Sequence, residues 1–447
     1  MTNDTGVEHH PQNIPDEIGY DRIRDAFRSK KRNSLSGAVQ RLDNKRTHLK
    51  QNPKPADNAV VPEFKRMPPA VWIGPSALTI PCPVTDMEQL SNRLSKVFSD
   101  YPELFNHCVK VYQKRVDYYR LTSEGQKILQ PDTVFHITAR ASIKTDGNEV
   151  KTEYYRLHVG GINDLPSEDA LIGELHRFAE YMQQKSRAKA VEDLYIGPVL
   201  YEDDAAMELL AGKIADHSHS YWISIRNQSD RKHRYLGKQV FPPALSVCQL
   251  GNDSVYNGVK LLGYRQVDAD GTKPMTLPII EKGILKHMLT GRIPSLGCPA
   301  STGNEHFDGL SRSLETRYIA GVFHVTSNRP VPYSKLYKRF LKAAKKAGLE
   351  HTYIIRKNRT SPYALIRVDL STGKEELVEG NYNSPSREQF KRMHAISKEE
   401  NVYNLDPSGG KGLGIISPKA ILLEDMELDI TPNRARHIDE AFYELRH

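Results

Sequence analysis

The sequence lacks the long apolar runs and the apolar leader that membrane-spanning and exported proteins carry. Its 447 residues contain no stretch near the ~18–20 apolar residues that a membrane helix requires. The first residues, Met1-Thr2-Asn3-Asp4, have none of the apolar core of a signal peptide. These absences predict a cytoplasmic protein with no membrane segment.

Cysteine is scarce, and its spacing argues against two kinds of small domain. The four cysteines (Cys82, Cys108, Cys248 and Cys298) lie far apart and form no Cys-x-x-Cys pair. The pattern indicates neither a disulfide framework nor a zinc knuckle, and reduced structural thiols are expected.

Positive charge is concentrated near the N-terminus. Of the net charge of +8, a net +7 comes from residues 21–50, which contain ten Lys/Arg and three Asp. The remainder is near neutral, which argues against a basic cleft across the protein and against nucleic acid as its partner.

The first 69 residues divide into a tail, a helix and a linker. Residues 1–19 are polar and aperiodic, and they are predicted to form a disordered tail. Residues 20–69 are predicted to form a basic amphipathic helix, to about Lys50, and a proline-rich linker. The helix could be an arm that binds nucleic acid or an acidic partner, but a solvated helix face is the simpler interpretation.

From residue 70 onward, helical and extended patterns occur in separate blocks. Short β-rich runs fill residues 108–160, a Ser-capped helix is expected after Ser167, and strand patterns return at 221–290. There is no regular βαβ rhythm. The sequence predicts an α+β fold with antiparallel or mixed sheets and flanking helices, in an N-terminal domain (70–192) and a C-terminal domain (193–447).

Residues 195–214 have the pattern of a strand that turns into a catalytic helix. Gly197-Pro198 precedes apolar residues, and the acids Glu202, Asp203 and Asp204 follow where a helix N-terminus is expected. A buried helical stripe is then predicted at Ala206, Leu209, Leu210 and Ile214.

Metal ligands are missing from this predicted helix. A zinc peptidase needs two imidazoles beside a Glu that activates the metal-bound water, but Glu202 stands between Tyr201 and Ala206. Glu202 is a candidate general base, although acids in a first helical turn also serve as ordinary dipole compensation. His217 and His219 could form a metal pair, but no third ligand is nearby, so surface histidines are the simpler interpretation.

Five short motifs carry a family resemblance. In chain order they are Tyr195-Ile196-Gly197-Pro198-Val199-Leu200-Tyr201-Glu202, Leu236-Gly237-Lys238-Gln239-Val240-Phe241-Pro242, Asp268-Ala269-Asp270-Gly271-Thr272, Ile280-Glu281-Lys282-Gly283-Ile284-Leu285-Lys286 and Ser301-Thr302-Gly303-Asn304. In this order and spacing they resemble the TldD/PmbA (TldE) family over about residues 120–430. The turn Ser123-Glu124-Gly125 is similar to one in the family's first domain.

The resemblance implies the side of this family that has no metal site. The family pairs a zinc metallopeptidase, TldD, which has a helical His-Glu-x-x-x-His motif and a C-terminal Cys, with a partner, TldE/PmbA, that lacks the site. The matching positions here are Tyr201, Glu202 and Ala206, and no Cys follows Cys298. The resemblance therefore implies no zinc or other cofactor in this chain. Ser301, Thr302, Gly303 and Asn304, in a long loop, are candidate substrate-binding residues.

The resemblance also implies a function and partners. The chain would be the subunit of a TldD-type metallopeptidase system that handles peptide substrate, bound to a TldD-like subunit, to itself or to both. The alternatives are a peptidase that uses Glu202 with His217 and His219, and a protein that binds nucleic acid or a partner through the helix at 20–50. The longer-chain branch of the family has a further section before Tyr20, so a truncated N-terminus is expected, and an exported form is an alternative to the cytoplasmic one.

Overall fold

The computed structural model describes most of the chain between residues 68 and 431. The described residues are 35–51 in part, 68–77, 84–122, 124–145, 149–218, 235–292, 298, 300–307, 316–318, 321–405 and 412–431. The predicted tail at 1–19 and most of the predicted linker lie outside them. The residues described between 35 and 51 are helical, within the region where the amphipathic helix is predicted.

The described elements alternate in blocks. They are β1 (Val71–Ile73), α1 (Val84–Ser95), β2 (Phe105–Leu121), β3 (Lys127–Lys144), β4 (Val150–Val159), α2 (Glu168–Ser186), β5 (Lys189–Ala190), β6 (Asp193–Asp203), α3 (Asp204–Ser218), β7 (Leu245–Gln249), β8 (Val255–Tyr256), β9 (Val259–Lys260), β10 (Leu277–Glu281), β11 (Ile284–Leu285), β12 (Glu305–Phe307), β13 (Thr316–Tyr318), β14 (Val322–Ser327), α4 (Tyr333–Lys346), β15 (His351–Lys357), β16 (Ala364–Asp369), β17 (Glu375–Glu379), α5 (Arg387–Lys391), β18 (Met393–Ile396), β19 (Glu400–Leu405), β20 (Leu413–Pro418) and β21 (Ala420–Ile430). The α+β prediction is confirmed, since 26% of the described residues are helical, 43% lie in strands, and the sheets are mixed or antiparallel.

The first sheet is built around the long strand β3. Strand β2 pairs with one side of β3 along most of its length, and β4 pairs antiparallel with part of the other side. Strand β1 joins that other side in parallel at Lys127–Leu129. Helix α2 follows the sheet, and Ser167 caps it as predicted, since its hydroxyl accepts a hydrogen bond of 3.3 Å from the Ala170 amide.

Two larger sheets form most of the rest of the described fold, and β8–β9 and β12–β13 are separate two-stranded pairs. The seven-stranded sheet is mixed and has the order β18-β21-β6-β15-β16-β17-β5, with β6 between antiparallel β21 and parallel β15. The six-stranded sheet has the order β11-β10-β7-β14-β20-β19. Its β10–β11 hairpin turns at Lys282 and Gly283, both with positive φ, as tight two-residue hairpin turns require.

The seven-stranded sheet separates two hydrophobic cores. One face packs against the first sheet and helices α1, α2 and α4, with Leu200 among the buried residues. The other face packs against α3 and the six-stranded sheet, with Val199 and Tyr201 buried there. Consecutive residues of β6 therefore point into different cores, as strand alternation requires.

The first of these cores contains residues from both sides of the predicted boundary at 192. It includes Phe178 of α2 as well as Leu200 and Leu422 of the seven-stranded sheet. The division into 70–192 and 193–447 stays a prediction. Among the described residues, no helix is long and apolar enough to cross a membrane.

Candidate functional site

The strand that leads into the candidate site is longer than predicted. Strand β6 runs through Asp203, and helix α3 begins only at Asp204. The expectation that Tyr201, Glu202 and Ala206 share one helix is therefore wrong. The helix does not begin earlier because β21 and β15 pair with β6 as far as Glu202. This strand pairing overrides the local preference of acids for a helix N-terminus. Of the predicted stripe, Ala206, Leu210 and Ile214 are buried, whereas Leu209 is only half-buried.

Glu202 is buried and fully engaged by two donors. Its side chain is 3% exposed, and Arg356 Nε donates to Oε2 at 2.6 Å. The Tyr333 hydroxyl donates to Oε1. Burial and the nearby Glu202 carboxylate raise the pKa of Tyr333, so its phenol stays a donor.

This arrangement gives Glu202 a structural role. A general base needs a free lone pair aimed at the proton it removes. Here both carboxylate oxygens accept hydrogen bonds from protein donors, and the charge is compensated by Arg356. Arg356 also lies 3.8 Å from Glu375, whose other oxygen accepts a 2.8 Å hydrogen bond from the Tyr337 hydroxyl.

Tyr201 and Ala206 lie on the other side of the sheet from Glu202. Both belong to the core between the seven-stranded sheet and the six-stranded sheet, whereas Glu202 faces Tyr333 at the start of α4. Burial raises the pKa of Tyr201, and its hydroxyl has no hydrogen-bond partner among the described residues. Ligands placed at positions 201 and 206 would not share a cavity with Glu202, so these three positions do not fit a zinc site.

The other two acids hold the junction between β6 and α3. Asp203 has a φ of 55°, and its carboxylate accepts hydrogen bonds from Asn401 at 3.1 Å and Asn358 at 3.3 Å. Burial, together with the charges of Glu208 and Asp203, raises the pKa of Asp204 to about 6.

The histidine pair suggested by the sequence, His217 and His219, falls where the described residues of α3 end. Residue 217 is within helix α3, but its side chain and all of His219 lie outside the described residues. Within the described part of the chain, no group of three or more His, Cys, Asp or Glu side chains could hold a metal ion.

Two of the family motifs form one backbone joint. The Gly237 amide donates to the Leu285 carbonyl at 2.8 Å, and the Leu285 amide donates back to Lys238 at 3.0 Å. The Val240 and Phe241 amides both donate to the Gly283 carbonyl, at 2.8 and 3.0 Å. The motif at 236–242 therefore wraps the hairpin at 280–286, and both pack into the core that holds Tyr201.

The motifs at 268–272 and 301–304 meet the turn of the first sheet in a second joint. Asp268 accepts hydrogen bonds from the amides of Asp270, Thr272 and Glu305, at 2.8 to 3.1 Å. Gln126, which lies between β2 and β3 just before Lys127, donates to the Asp270 carbonyl at 3.1 Å. These motifs connect the first sheet to the C-terminal part of the chain.

The candidate substrate-binding residues are largely built into this second joint. Asn304 is fully buried, and its amide pairs reciprocally with Gln249 at 2.6 and 3.0 Å. Thr302 donates to Asn304 Oδ1 at 2.8 Å, and Gly303 is buried. Ser301 is half-buried and hydrogen-bonds the Gly303 amide. The geometry of Asn304 makes it a packing residue, and a substrate contact at Ser301 or Thr302 stays a prediction.

Sequence reasoning missed the partners of the buried acids. Tyr333 and Arg356 lie 131 and 154 residues from Glu202 in the chain, and nothing local marks them. It also missed the ion pairs of half-buried Arg120 with buried Asp270, at 2.9 Å, and buried Glu305, at 3.5 Å. Burial and the Glu305 charge raise the pKa of Asp270 well above its usual range.

Comparisons with known proteins agree with this fold. A family model for the PmbA/TldA metallopeptidase C-terminal domain matches residues 196–322. A search of curated protein sequences gives no match.

Three solved structures share the overall architecture. A proposed modulator of DNA gyrase from Bacteroides thetaiotaomicron is 14% identical, with a TM-score of 0.56 over 90% of this chain and 83% of that one. TldE from Thermococcus kodakarensis is 12% identical, with a TM-score of 0.54 over 89% and 84%. A proposed modulator of a DNA gyrase from Thermotoga maritima is 13% identical, with a TM-score of 0.51 over 88% and 83%.

At these identities the solved structures establish the fold, and the family model covers the segment that contains four of the five ordered motifs. Together with the motif order, the family model supports the assignment of residues 196–322 to the C-terminal domain of the PmbA/TldD family.

Proposed function

We propose that this chain is a TldE/PmbA-like subunit of a TldD-type metallopeptidase system, and that it handles peptide substrate without holding a catalytic metal. Its partner would be a TldD-like subunit that carries the His-Glu-x-x-x-His motif, and it could also associate with itself. A cleft shared by two such subunits can present an extended peptide to a metal site on the partner.

The observation that carries this proposal is the state of Glu202. In a water-activating role the carboxylate would face a cavity beside metal ligands. Here it is buried against Arg356 and Tyr333, on the opposite side of the sheet from positions 201 and 206. An acid held this way stabilises the junction of β6, β15 and α4.

Peptide handling would use a sheet edge. Strand β2 is paired with β3 on one side, and no described strand pairs with its other side. A groove of about 660 Å³ lies there between β2 and α1, lined in part by Met87, Ser91 and Val111. An extended peptide can add to such an edge through main-chain hydrogen bonds, with pockets for alternate side chains.

The test is reconstitution with a paralogue from the same genome that carries an intact His-Glu-x-x-x-His motif. We expect the two chains to co-elute at mild salt and the pair to cleave an unfolded peptide that this chain alone leaves intact. Failure to co-elute would count against the proposal. Stoichiometric zinc in this chain alone, lost together with peptidase activity in His217→Ala, would favour the active-peptidase alternative instead.

A further inference from the structure

One face of the first sheet lies in the core, and residues 265–269 cover part of the other face at Tyr118, Gln130 and Asp132. From the row of Tyr112 onward, that other face exposes side chains to solvent. Val109, Ile137, Ala139, Tyr155 and Leu157 are buried in the core face. We call the opposite positions the outer face, and they form three rows across the sheet: Tyr112, His136 and His158; Lys110, Thr138 and Arg156; and Cys108, Arg140 and Tyr154. With Lys114 at one end, this face extends for about 20 Å along the strands.

The outer face is basic. Lys110, Lys114, Arg140 and Arg156 project from three adjacent strands, and Lys144 continues the series on β3. From the row of His136 to the row of Lys144, none of the outward positions carries an acid. The outward acid Asp132 is 6% exposed and lies 3.8 Å from Lys114, and Glu88 of α1 lines the same groove as Lys110 and Tyr112.

Strand alternation creates this charge separation. Glu153, which lies next to Tyr154 in sequence, points to the other side of the sheet, where it forms an ion pair of 2.5 Å with Lys185. Net charge counted along the sequence therefore does not reveal the basic outer face, because acids that alternate with its cations point to the opposite face of the sheet.

Aromatic rings stand among these cations. Tyr112 is 45% exposed and stacks on His136 at a centroid distance of 4.4 Å and an angle of 7°. Tyr154 is 41% exposed, with the Arg156 guanidinium 4.7 Å from its ring centroid. His136 and His158 bond through their Nδ1 atoms at 2.9 Å, which fixes the imidazole behind Tyr112.

We propose that the outer face binds single-stranded nucleic acid. Exposed aromatic rings on an open antiparallel sheet are platforms on which unpaired bases stack, and flanking Lys and Arg neutralise phosphates. The excess of cations over acids on this face supplies the charge complementarity that a polyanion needs. A duplex offers no unstacked base to the tyrosines, so single strands are preferred. This surface is separate from the basic segment at 21–50 and differs from the sequence-based expectation that nucleic acid is not a partner.

The experiment measures fluorescence anisotropy of labelled single-stranded 12-mers, of DNA and of RNA, with the full chain over a range of salt concentrations. Tyr112→Ala is expected to weaken binding by about 5- to 10-fold. This is the low end of the loss expected for a ring that stacks on a base, because His136 already covers one face of the Tyr112 ring. Lys110→Ala and Arg156→Ala should each reduce the slope of log K against log salt by about 0.7.

Two control variants match these changes outside the face. Lys346→Ala removes an exposed cation from the end of α4, and Tyr119→Ala removes a ring that is 66% exposed on β2 beyond the outer face. Both should leave affinity and salt slope unchanged. Circular dichroism of every variant confirms that the sheet is retained.

Three outcomes would overturn the proposal. The first is no binding at low salt. The second is binding that the outer-face variants leave intact, as expected if residues 21–50 were the site. The third is that Lys110→Ala and Arg156→Ala abolish co-elution with the TldD-type paralogue but not oligonucleotide binding, which would assign the face to a protein partner.

Discussion

Removal of Arg356 tests whether Glu202 is a structural acid. In Arg356→Met the carboxylate, 3% exposed, loses its cation and keeps only the Tyr333 hydroxyl. Breaking a buried pair from one side costs about 3–5 kcal/mol. Because Arg356 is itself 29% exposed, we expect a loss of about 2–4 kcal/mol in the free energy of unfolding.

The assay is urea denaturation followed by far-UV circular dichroism. The matched control is Lys357→Met on the same strand, whose partner Glu208 is equally close, at 2.7 Å, but 53% exposed. That change should cost at most about 1 kcal/mol. The double variant Glu202→Gln/Arg356→Met should recover part of the loss, because no unpaired charge remains buried. A loss below about 0.5 kcal/mol in Arg356→Met, or equal losses in both single variants, would refute the reasoning.

Three further predictions concern the joints between motifs. Burial and the Glu305 charge raise the pKa of Asp268 to about 7, so the folded state favours the protonated carboxyl. This contribution to the free energy of unfolding is full below about pH 4 and is lost as the pH rises through 7. Thermal unfolding at pH 6 and at pH 8 should therefore show a lower midpoint at pH 8. Gly283→Ala should lower the free energy of unfolding by about 1–3 kcal/mol, because φ is 79° and a Cβ would meet the backbone carbonyls of Phe241 and Pro242. Gly212→Ala, on α3 with open space around it, should not lower the free energy of unfolding; urea denaturation measures both variants. Asn304→Ala removes both hydrogen bonds to buried Gln249 and leaves the Gln249 side-chain oxygen without its Asn304 donor, so it should cost about 1–3 kcal/mol by the same assay.

The element types followed from local patterns in the sequence. The alternation in β2 to β4, the Ser167 cap and the turn at Lys282-Gly283 are properties of neighbouring residues, so the sequence alone could predict them. The end of β6 could not be predicted. It depends on pairing with β15 and β21, strands that come more than 150 residues later in the chain.

The same limit applies to the site. Three acids after an apolar strand are compatible with a catalytic helix or with a structural junction. The difference lies in Arg356 and Tyr333, which only the fold brings to Glu202. The outer face was hidden for a related reason, since charge counted along the chain does not separate the two sides of a sheet.

The most direct test of the account is peptide hydrolysis by the reconstituted pair with Glu202→Gln in this chain, alongside zinc analysis of the chain alone. Gln has the size of Glu202, and its amide oxygen can still accept from Arg356 while its NH2 group donates to the Tyr333 oxygen. Circular dichroism verifies folding before the assay. The account predicts a rate within about twofold of the wild-type pair and no stoichiometric zinc in this chain. A loss of about 100-fold or more, the scale expected for a catalytic base, with zinc bound to the wild-type chain, would contradict it.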